Sequence, residues 1–177
     1  MSHIILLYRN NDINNPIEAS IDINLLRQTI SYTDNYLDDK VIAAIAKVFN
    51  PTIPANWRQS YNESIATHDL MVNTTKNIAP GVTLEVEQIS ETKTIFTIRF
   101  IRDLRDKFDA LLREFYSLNP KNIFFNNNND RDRFVKACKL SLSQPEILTT
   151  CENTKKIINQ GFNDYANIPN GILFQKN

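Results

Sequence analysis

The run from Val82 to Ile101 constrains the fold of this chain more than any other stretch. Val82, Leu84 and Val86 alternate with polar residues, and the alternation resumes from Lys93 to Ile101. A period of two puts successive side chains on opposite faces, as a half-buried strand requires. β-Branched residues throughout strengthen the pattern. Glu91-Thr92 lies between the two runs, so the segment predicts an antiparallel hairpin over 82–101. The turn has no glycine for a mirror-image two-residue type, so a loop of about three to five residues is expected.

Glycine is scarce. The chain has Gly81, Gly161 and Gly171 in 177 residues, where average usage gives roughly a dozen. Nucleotide-handling loops need glycine to take positive φ and to let backbone approach a phosphate. Gly81 follows Pro80, Gly161 sits where a helix should end, and Gly171 closes Pro169-Asn170-Gly171. All three therefore have turn or cap positions, which excludes P-loop and dinucleotide-binding folds. No nucleotide cofactor is expected.

Twenty Lys and Arg balance twenty Asp and Glu. No net field draws the chain to nucleic acid or an anionic membrane. The apolar run Ile4 to Leu7 stops by Arg9, short of a signal peptide. No stretch approaches the ~18 apolar residues of a membrane span. Two cysteines fit a reducing compartment. A cytoplasmic protein is expected, or one delivered to a host cytosol by a signal-less route. Abundant asparagine and isoleucine reflect AT-rich coding, a setting that fits a bacterial effector or a small toxin-neutralising protein.

Helical spacing dominates the remainder. A first helix is expected after Ser20 or Asp22, with Ile23, Leu26, Ile30 and Tyr32 inward. A second starts at Thr33 or Asp34 and carries Leu37, Val41, Ile45 and Phe49 every fourth residue. A third runs from Asn56 to about Asn77 on the stripe Trp57, Tyr61, Ile65, His68 and Val72. Asp103 caps a fourth with Leu104, Phe108, Leu111, Leu112 and Phe115 inward. Asp130 opens a fifth with Phe134, Cys138 and Leu142. Ser143 and Glu146 make a capping box for a sixth that ends at Gly161. His3 to Tyr8 reads as a buried strand, Ile123 to Phe125 as a strand or packed loop, and Ile172 to Phe174 as an added edge strand. The expected fold class is α+β. It is one mostly helical domain over 1–177, with about six helices on a small antiparallel sheet centred on the 82–101 hairpin. Its parts are a helical half at 20–78, the hairpin, a helical half at 103–161 and a tail at 162–177.

Chemistry has few candidates. His68 precedes Asp69 but falls on an apolar stripe, where a core histidine is the plainer account. Cys138 and Cys151 sit on apolar helix faces, symmetric about Gln144-Pro145, as two packed thiols would. Either could pair with His68 as a nucleophile, although no local feature lowers a thiol pKa. Metal-ligand spacings such as Cys-x-x-Cys and His-Glu-x-x-His are missing; Asp34, Asp38 and Asp39 read as an acidic helix start. Arg131, Arg133, Lys136 and Lys139 make a basic stripe near Phe124 and Phe125, offset by Asp130 and Asp132. Trp57, Arg58, Arg131 and Arg133 are candidate partner contacts. The expected function is a non-enzymatic protein-binding or regulatory module with a protein partner and no cofactor. The alternatives are a cysteine/histidine-dependent hydrolase or transferase, and a weak nucleic-acid binder through 131–139.

Overall fold

The computed structural model describes residues 3–8, 19–33, 37–50, 56–66, 74–91, 93–140, 146–148 and 171–175. Its elements run β1 (Ile4–Tyr8), β2 (Ala19–Asn24), β3 (Thr29–Tyr32), α1 (Asp38–Phe49), α2 (Trp57–Ala66), β4 (Thr74–Ala79), β5 (Val82–Ser90), β6 (Lys93–Phe100), α3 (Arg105–Ser117), β7 (Asn122–Phe125), α4 (Asn128–Cys138), β8 (Glu146–Leu148) and β9 (Ile172–Gln175). A short 3-10 turn at Arg102–Leu104 leads into α3.

The hairpin forms as its alternation requires, with Val82 opposite Phe100 and Leu84 opposite Ile98. Its turn is tighter than expected. Ser90 opposes Lys93, and the register shifts between Gln88 and Ser90. A bulge supplies the local twist that a longer loop would otherwise provide.

The mostly helical expectation is wrong. Among the described residues there are four α-helices rather than six, and strand outweighs helix. The segment expected as a first helix folds as the β2–β3 hairpin. Ala19, Ile21 and Ile23 alternate with polar residues, as do Ile30 and Tyr32, and all five are buried. Leu26, expected inward, is 79% exposed in the connecting turn. The third expected helix is described from Trp57 to Ala66, but Thr74–Ala79, which overlaps its expected last turns, pairs with β5 as a strand. β8 stands where the sixth helix was expected to begin; the rest of that segment, with Gly161, lies outside the described residues. β9 forms, but between β7 and β8 rather than at an edge. Asp103 does not cap α3, whose N-cap Leu104 makes no side-chain hydrogen bond. Asn127, not Asp130, opens α4: its side chain accepts from the Asp130 N–H at 2.8 Å.

All neighbouring strands are antiparallel, in the order β4-β5-β6-β3-β2-β1-β7-β9-β8. One cross-strand row joins Phe125, Ile4, Ile23, Ile30, Ile98 and Leu84 over six strands. This row is buried in a core shared with Val41, Ile45 and Phe49 of α1, Trp57 and Tyr61 of α2, Phe108, Leu111, Leu112 and Phe115 of α3, and Phe134 of α4. The helices therefore layer on one face of the sheet. Each such side chain contributes about 1.5–3 kcal/mol on burial. The next row lies on the opposite face and changes character along its length. Phe124 and Ile5 are buried there, whereas Asp22, Ser31, Thr97 and Glu85 continue it as polar residues.

Candidate functional site

Among the described residues, two concavities follow from this layout. One lies on the polar part of the sheet's open face and holds about 270 Å³. The strand period brings His3, Asp22, Ser31, Thr97, Glu85 and Arg99 onto it. Its groups largely satisfy one another. His3 Nδ1 lies 2.9 Å from Asp22 Oδ1, Ser31 and Thr97 share a hydrogen bond of 2.9 Å, and Arg99 reaches Glu85 at 3.4 Å. The hydrogen bond to Asp22 raises the His3 pKa above its usual 6.5, against burial, which lowers it.

The other is a cleft of about 660 Å³ at one end of the sheet. Its walls are the β2–β3 turn, the start of α3 and the start of α4. Arg133 Nη2 binds Asp109 Oδ1 at 2.7 Å, and Arg113 Nη1 donates to the Ala137 carbonyl at 2.8 Å. These two contacts advance together along α3 and α4, so the helices run parallel. Both N-termini therefore face the same end, that of α4 capped by Asn127 and that of α3 entered through the 3-10 turn. The turn is pinned there by Gln28, a residue only 7% exposed. Gln28 Nε2 donates to the Ile101 carbonyl at 2.8 Å, and the Phe100 N–H donates to the Gln28 carbonyl at 2.9 Å. Gln28 reaches this position with φ of 51°, in the left-handed region. Arg102, Arg105 and Arg133 then line the cleft together with Leu25 and Leu26, and Asp130 is the acidic residue among the described lining.

The structure distributes the sequence candidates differently. His68 and Cys151 lie outside the described residues. Cys138 is buried at the end of α4, and burial pushes its thiol up to about 12, further raised by Asp109 against Arg113 and Arg133. It is protonated at neutral pH and unsuited to act as a nucleophile. Trp57 belongs to the core, with the exposed Arg58 guanidinium 5.5 Å from its ring centroid. Arg131 is held by Asp132 at 2.9 Å, and Phe124 and Phe125 are buried, so neither ring is available for base stacking. Of the described candidates, only Arg133 reaches the cleft. Among the described residues no group of three His, Cys, Asp or Glu side chains could hold a metal ion. No described helix is long and apolar enough to cross a membrane.

Sequence reasoning missed Arg102, Arg105, Leu26 and Gln28. Arg102 reads as part of the polar face of an amphipathic helix, and nothing local links it or Arg105 to a turn some 75 residues earlier in the chain. No protein-family model, curated protein or solved structure matches the chain.

Proposed function

We propose that this chain is a non-enzymatic protein-binding module, and that an acidic segment of its partner docks in the end cleft. The observation that carries this reading is that Arg102 and Arg105 line one cleft together with exposed Leu26. Arginine is a preferred hot-spot residue, and an apolar lip gives an incoming side chain something to bury against. The volume fits a few side chains rather than a whole domain surface. Cys138 gives the hydrolase or transferase alternative no support, because its thiol is buried and protonated. The nucleic-acid alternative is weakened by the ion pairs that already hold Arg131 and Arg133.

Selection of a random peptide library on the immobilised chain tests the reading. Peptides bearing Asp or Glu around one apolar residue are expected to emerge with Kd of about 1–100 μM. Replacing Arg102 and Arg105 by Glu should weaken them about tenfold or more, as should Leu26→Asp. Failure to enrich any peptide, or enrichment indifferent to those changes, removes the proposal.

A further inference from the structure

Resting on that assignment of the cleft, we propose that Arg102 and Arg105 form a site for a phosphate dianion. Three arginines that line or neighbour the two concavities have a carboxylate within reach: Arg133 has Asp109, Arg131 has Asp132 and Arg99 has Glu85. Among the described residues, no carboxylate or hydrogen-bond acceptor pairs with the guanidinium of Arg102 or Arg105, although both residues line a cavity. Their position is also unfavourable for cations. Both sit at the start of α3, where the helix dipole repels cations. The start of parallel α4 adds a second positive helix end to the same space. Exposed Asp103 and Asp106 temper this field from outside the lining, and Asp130 opposes it from within.

A bound anion reverses the balance, because the two guanidiniums and the two helix ends then act in the same direction. Two guanidiniums without partners match a charge of about −1.5 to −2, which a phosphate monoester carries at neutral pH. A single carboxylate leaves one of them uncompensated. The planar fork of arginine also suits paired hydrogen bonds to phosphate oxygens. Arg133, already neutralised by Asp109, forms part of the wall, and the remaining volume accommodates whatever carries the phosphate.

Amide chemical-shift titration of the full chain tests this directly, with inorganic phosphate as the first probe. Saturable shifts are expected around residues 102–105 and 127–130. The double variant Arg102→Gln, Arg105→Gln should bind about tenfold more weakly or worse, Asp130→Asn should bind more tightly, and Arg99→Gln should be unchanged. The same spectra report whether each variant is folded. A phosphoserine peptide, its unphosphorylated twin and inorganic pyrophosphate then separate the sources. Preference for the phosphopeptide over its twin by about tenfold places the phosphate on a protein partner. Tight pyrophosphate binding with both peptides inert keeps the phosphate site and removes the protein-binding reading. Shifts that never saturate, or that persist unchanged in the double variant, overturn the site itself.

Discussion

Asp22 shows how far a single residue's role depends on its neighbours. Its sequence position suggests a helix cap, yet it is a strand residue paired with His3 at 2.9 Å. Both side chains are mostly buried, at 23% and 16% exposure, so the pair is partly shielded from solvent. The pKa of His3 is raised in the folded chain, chiefly by that hydrogen bond. Stabilisation by a raised histidine is fully present below the unfolded value near 6.5 and is lost as pH rises through the folded value. Asp22→Asn is therefore expected to cost about 1 kcal/mol at pH 5.5 and much less at pH 9. Urea denaturation at both pH values checks it; an equal loss at both would mean the aspartate acts through packing alone. His3 appears in the sequence merely as a second histidine. Its partner is nineteen residues away, and only the strand register brings them together.

Elements were legible where the apolar period was long and uninterrupted. The stripe Leu37, Val41, Ile45, Phe49 and the stripe Phe108, Leu111, Leu112, Phe115 are buried as helical spacing requires. The 82–101 alternation likewise survives intact in β5 and β6. The β2–β3 segment failed because each strand is too short to display its period, while Ile23 and Ile30 also fit a helical spacing. Ser20 and Asp22 then imitate helix caps that the fold does not use. Helix ends were similarly obscure. α4 stops with Lys139 at φ of 54°, and the Leu140 N–H donates to the Val135 carbonyl at 3.0 Å. This is a left-handed C-terminal cap in a position that favours glycine. Lys139 is exposed, so its side chain contributes little packing to offset the backbone cost. Lys139→Gly should stabilise the chain by roughly 0.5–1 kcal/mol, after allowing for the added freedom of glycine when unfolded. A higher urea midpoint with an unchanged m-value is the expected result. No shift, or a lower midpoint, would mean that the cap carries no strain.

The whole sheet could not be read from local pattern, because its assembly depends on pairings between distant strands. β3 pairs with β6 and β1 with β7, and β9 then enters between β7 and β8. No turn chemistry specifies these contacts, and each closes a long loop. Gly171 marks the place where this assembly is tightest. It stands just before β9, and an added Cβ would meet the Phe124 ring and lie 2.5 Å from the Phe125 carbonyl oxygen. Phe124 is fully buried on the face opposite the main core, and Phe125 is buried on the core side. The strand therefore has little room to retreat, and the backbone oxygen cannot rotate away as a flexible side-chain tip could. The proximity of the β7 backbone, and not a positive φ, accounts for the glycine. Gly171→Ala should destabilise the chain by about 1–3 kcal/mol through overpacking at the β7–β9 seam. Hydrogen exchange should report the loss first at Phe124 and Phe125, because local opening follows the weakened pairing. Unchanged denaturation together with unchanged protection of β7 would show that the seam does not form in solution as described.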